Sequence, residues 1–224
     1  MTITKSETEV PSLNLQIIRL LEQYPQLSPA DMFSPEKPLD DAVGWRWCAF
    51  PNIWKEDSPL PGSYNEQAET AAKIVLGENF QPHNALQLGE ARLRQSDSSL
   101  EAWKSVSAAQ NHPDILVVAA QPGTAYYGIS VERARRLMTK QAEFGLGVFA
   151  SSTILLTDPN LIATNSHQRM VCAGDECFSE WGLGAHSTST PYFQRDHYNH
   201  IGLGIDWIKN TSDSSGAATA KLPE

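Results

Sequence analysis

Cys172, Cys177, His197 and His200 are the side chains whose types and spacing come nearest to a metal-binding set. Thiolate and imidazole are the usual ligands of zinc, and structural zinc sites pair two closely spaced cysteines with two closely spaced histidines. The stretch CAGDEC encloses four residues between its cysteines, which suits such a site; DHYNH encloses only two between its histidines, which is short. On a strand, positions three apart point to opposite faces, so both histidines reach one ion only if DHYNH is a turn. Zinc is the one cofactor that the sequence suggests, and only through this set.

The same region holds the parts of a nucleophilic site: Cys172 or Cys177 as thiolate, His186 or His197 as base, Asp196 or Asp175 as the orienting carboxylate. Asp175 and Glu176 lie between the two cysteines and work against this arrangement, because nearby negative charge raises a thiol's pKa. A plainer reading makes Cys172 a small buried strand residue and Cys177 the start of a loop.

Two further stretches are candidates for binding. QPGTAYYG, residues 121–128, joins a predicted strand to a predicted helix, where ligands collect in α/β sheets. Gly123, Thr124 and Ser130 would supply polar contacts there, with Tyr126 and Tyr127 as a wall. The stretch lacks the Gly-Lys-Ser/Thr of a phosphate-binding loop, so no nucleotide is implied. WRWCAFPNIW, residues 45–54, sets Trp45 and Trp47 on one side of an extended strand, with Trp54 close behind. Exposed, these tryptophans form an interface for a partner protein, since Trp and Arg dominate binding hot spots. Folded inward, they cover the core of their own domain. Arg133, Arg136 and Lys140 share a helix face that reads as a solvated surface or as a docking point for an acidic partner.

The elements that must position these residues are partly legible. Leu13, Ile17, Leu20, Leu21 and Tyr24 trace one helical stripe behind Ser12, and Pro25 ends it. SPAD at 28–31 predicts a short second helix. WRWCAF predicts a strand; Asn65 is expected to cap a helix to about Leu76, with Gly77 as its stop. Ser98 and Glu101 form a capping box for a helix to about Gln110. DILVVAAQ has the unbroken apolar run of a strand buried on both faces, and Ser130 caps a helix to about Glu143. GLGVFASSTILLTD reads as β-rich, which would complete a strand-helix-strand unit. HQRMVCAG and HIGLGIDWI read as strands; ALQLGEARLR fits strand or helix equally.

The expected fold is therefore α+β, or loosely α/β: a mixed sheet flanked by helices, with a long Pro- and Trp-rich loop near the N-terminus. Residues 1–11 are expected to be a flexible arm, 12–208 a single domain, and 209–224 a disordered tail. A net charge of −9 argues against nucleic acid and against anionic membrane surfaces as partners. No apolar run is long enough to span a bilayer, and MTITKSETEV has no apolar core of the kind a signal peptide needs. Three cysteines are too few for a disulfide framework, which completes the expectation of a soluble, cytoplasmic chain. No complete catalytic signature is present. The expected function is a binding or accessory protein acting through protein–protein contacts, with a zinc or cysteine hydrolase in the 172–200 region as the alternative.

Overall fold

Seven consecutive buried residues, Ile115–Gln121, form the strand around which the first sheet is built. The structure is a computed structural model that describes residues 10–35, 39, 44–81, 88–89, 92–162, 169–178, 189–196, 198, 200–211 and 214–223. Five helices lie among them: α1 Leu13–Gln23, α2 Tyr64–Leu76, α3 Asp97–Ala109, α4 Val131–Lys140 and α5 Val148–Thr157. The strands are β1 Arg46–Pro51, β2 Leu93–Gln95, β3 Ile115–Gln121, β4 Glu143–Gly145, β5 Arg169–Val171, β6 Asp175–Cys177, β7 Ser189–Arg195, β8 Ile201–Trp207, β9 Ser215–Ala217 and β10 Thr219–Lys221. Helices and two separate sheets make this an α+β fold, as the patterning implies.

The first sheet runs β1-β3-β10-β4, each strand antiparallel to its neighbour. β3 and β4 are thus parallel, with β10 between them, so a strand-helix-strand unit through α4 exists as expected. Its returning strand is only Glu143–Gly145, however. The segment read as β-rich is instead the helix α5, and nearly all of its side chains are buried. A helix that is apolar on every side shows no 3.6-residue period, and its Val, Thr and Ile content imitates a buried strand. α5 packs on α2, α1 and β1 in the middle of the molecule.

The second sheet runs β2-β6-β7-β5-β9, with β8 on the other edge of β7. β6 and β5 share one edge of β7: Cys177 pairs with Ser189, and Arg169–Val171 pair with Gln194–Tyr192. α4 buries Val131, Ala134 and Met138 against Val171, Ala173 and Ala217 of this sheet.

The expected disordered tail is the main correction to the fold. Residues 215–217 pair with β5, and 219–221 insert between β3 and β4, so one short run of chain joins the two sheets. Ala218, at the crossing, donates its N–H to Val171 and accepts from Leu146 N–H. The run SGAATA looks like tail composition because its residues are small, and small residues are what this crossing admits. Gly123 (φ +118°) meets the backbone of Gly216 so closely that a Cβ on either would overlap the other's carbonyl. Gly145 and Gly174 make a second backbone contact of this kind.

Other boundaries move by a few residues for identifiable reasons. Ser63, not Asn65, caps α2 through a full capping box with Glu66, and Ser96, not Ser98, caps α3. The short helix expected at 28–31 is a turn, with Asp31 at φ +61°.

Candidate functional site

Asp175 has no exposed surface, and its carboxyl points beneath the first turn of α5. The backbone places it there: Asp175 N–H donates to Cys172 O, closing the turn between β5 and β6. One carboxyl oxygen accepts from Val148 N–H at 2.7 Å, one of the unpaired donors that every helix start leaves. Tyr64 hydroxyl, from the first turn of α2, stands 2.8 Å from both oxygens. Burial pushes the Asp175 pKa up to about 7, against the pull of Val148 N–H, Tyr64 and Arg135, while Glu176 pushes the same way as burial. Burial, together with the Asp175 charge, also raises Tyr64 well above an ordinary phenol.

A second layer fixes the same turn from outside. Arg135 donates to the carbonyls of Ala173 and Asp175 at 2.8 and 2.7 Å, and its guanidinium lies 3.6 Å from Glu176. Arg94 holds the other oxygen of Glu176 at 2.7 Å. Thr190 hydroxyl bonds the carbonyls of Cys172 and Asp175. The CAGDEC turn is a clamp between the two sheets and the central helix.

In that clamp Cys172 and Cys177 are buried thiols. Burial drives the Cys172 pKa well up, with Asp175 and Cys177 adding and Ser151 opposing; burial and Asp175 push Cys177 to about 12. A thiolate nucleophile needs the reverse, a partly exposed and electropositive setting. The proposed base His186 and the histidine His197 lie outside the described residues. Asp196 is described, and it is not near the cysteines. Cys172 N–H donates to Pro191 O, and Asp196 lies five residues further along β7, roughly 16 Å away at the rise of a strand. At that far end, Asp196 carboxylate bonds the N–H of Tyr198 and His200, and His200 Nδ1 stands 3.6 Å from it. The four-ligand zinc set is therefore corrected: His200 cannot reach an ion held by Cys172 and Cys177, since zinc bonds run near 2.0–2.3 Å. Among the described residues no cluster of three or more His, Cys, Asp or Glu side chains is arranged to hold a metal.

The 121–128 stretch is also structural. Gly123 N–H bonds Gln121 Oε1, Gln121 in turn bonds Thr124 hydroxyl, and Gly123 lies against Gly216. Tyr126 is buried, its hydroxyl donating to Glu143 and Gln141. Ser130 is spent as the cap of α4. Of this group, Thr124 and Tyr127 face solvent.

The three tryptophans of the expected interface part company. Trp54 stacks on Trp103 with ring centroids 4.1 Å apart and planes 4° apart, and meets Phe149 edge-on. Its indole N–H donates to Gln95 at 3.0 Å, so Trp54 belongs to the core. Trp45 lies under Lys221 Nζ, and Trp47 packs on Phe33. Both are half-buried covers of their own domain.

A groove of about 320 Å³ lies between α1, α2, the end of α5 and Ile201. Apolar side chains wall it, with Arg19 and Glu22 at its rim, and none of the candidate catalytic or metal residues lines it. Sequence reasoning missed the most exposed indole among the described residues, Trp207. Alternation along β8 puts Trp207 on the side of Leu203 and Ile205, which reads as inward; no signal marks that the strand outruns its support. Trp207 adjoins the start of α4, where Glu132 N–H donates to Ile208 O, whereas Tyr127 lies beside β9, bridging to Gly216 with Gly128 N–H donating to Ser215 O.

No protein family, curated protein or solved structure matches this chain. No helix among the described residues is long and apolar enough to cross a membrane.

Proposed function

We propose that this chain is a binding or accessory protein that acts through contacts with a protein partner. The observation that carries the reading is the exposure of two large aromatic side chains: Trp207, beside the start of α4, is 65% exposed, and Tyr127, beside β9, is 49% exposed. Large aromatic rings such as Trp and Tyr are enriched among the anchors of protein interfaces. The alternative, a hydrolase in the 172–200 region, has less support, because its two candidate nucleophiles are buried thiols held neutral.

The test is quantitative affinity capture with wild type, a Trp207→Ala/Tyr127→Ala variant and a Trp45→Ala control. Specific loss of the same partner from the double variant, but not from the control, is the expected result. Identical partner sets for all three overturn the reading.

A further inference from the structure

We infer that the surface where Trp207 meets the start of α4 receives an acidic segment of the partner protein. This rests on the preceding reading and names the chemistry of its partner. α4 begins at this surface: Glu132 N–H donates to Ile208 O, so the helix starts between Trp207 and Lys209 in space. From there Arg133, Arg136 and Lys140 recur at offsets of three and seven and stay exposed, a stripe roughly 10 Å long at the rise of a helix. Lys209 is exposed beside Trp207.

Among the described residues, the acids around this stripe are already engaged. Glu132 pairs with Arg136 at 2.6 Å, Asp206 with Arg169 at 3.1 Å, and Glu143 accepts from Tyr126 at 2.6 Å. Arg133, Lys140 and Lys209 have no acidic partner among the described residues. The free charge here is positive, on a chain whose net charge is −9. Such a local reversal steers an acidic segment to one place and repels it elsewhere. Trp207 then supplies the apolar contact that charge pairs at an exposed site lack. A short peptide fits this geometry better than a nucleic acid, whose uniform charge would run past four basic groups onto an acidic surface.

The test is fluorescence anisotropy with a labelled Glu- and Asp-rich peptide that carries one leucine, its Gln and Asn counterpart, and a single-stranded RNA of equal length. The peptide is expected to bind, with salt-dependent affinity that falls about tenfold in Arg133→Glu/Lys140→Glu. Both sites are exposed, and circular dichroism checks that the variant folds. Equal binding of the neutral peptide, indifference to the charge reversal, or tighter binding of RNA overturns the inference. If partner capture still depends on Trp207 and Tyr127 but not on these charges, the acidic chemistry alone falls. If capture ignores the aromatic pair, the reading beneath it falls as well.

Discussion

Tyr64 hydroxyl reaches both oxygens of Asp175 at 2.8 Å, so a side chain from the first turn of α2 and one from the second sheet meet under the N-terminus of α5. The contact is tight enough that a Cβ at Gly147 would overlap both groups. Three elements distant in sequence converge on one buried carboxyl, and its proton becomes part of what holds them.

That proton makes stability fall as pH rises. An aspartate in the unfolded chain titrates near 3.9, whereas burial raises Asp175 to about 7 in the fold. The folded state therefore binds this proton more tightly. Its contribution is complete below about pH 4 and is lost as pH climbs through about 7. Relative to Asp175→Asn, wild type should lose about 2–3 kcal/mol between pH 5 and pH 8. Urea melts of the two proteins at both pH values check this; parallel pH dependences would show that Asp175 titrates as an ordinary carboxylate.

The thiols should be silent in the native protein. Cys48, Cys172 and Cys177 are all buried, and burial raises Cys48 to about 11 even with Arg46 beside it. Iodoacetamide at neutral pH should label none of them until denaturant is added, and then all three. Rapid, selective alkylation of Cys172 or Cys177 in native buffer would revive the nucleophile that the geometry argues against.

Trp54→Ala should cost about 3 kcal/mol, because it removes one half of the Trp103 stack and leaves a void beside Phe149. Trp45→Ala should cost about 1 kcal/mol or less, since that ring covers the surface. Denaturant midpoints separate the two. Equal losses would mean that Trp45 is as deeply packed as Trp54.

Gly216→Ala should be among the most damaging single changes. Its new methyl would meet Gly123 O across a backbone contact that has no flexible side chain to yield. A loss of about 3 kcal/mol or more is expected, read from thermal unfolding. A variant with wild-type stability would mean that the crossing is looser than described.

The sequence carried the class of the fold better than its wiring. β3 was legible because six apolar residues in a row, Ile115–Ala120, bounded by turns can only be buried, and α4 because Val131, Ala134 and Met138 keep one face. α5 was not, since a helix buried on every side has no polar face to betray its period. The last strands were hidden by their own adaptation: alanine, glycine and threonine look like a solvated tail, yet they are what two closely approaching backbones require. At the site, the spacing of Cys172, Cys177 and His200 suggested convergence, and only the register of β7 reveals that they stand at opposite ends of a strand. Asp175 and Tyr64 are 111 positions apart, a separation that no local pattern spans.

Residues 215–221 complete both sheets at once, and this bears on how the protein is made. Until the ribosome has delivered that stretch, β3, β4 and β5 each present an unpaired margin, open to any extended strand nearby. Long-range closure of this kind is slow, so from the emergence of β3 until Lys221 is delivered the nascent chain is exposed to aggregation. Clipping the molecule just before Ser214 should unfasten two layers together, not fray one end.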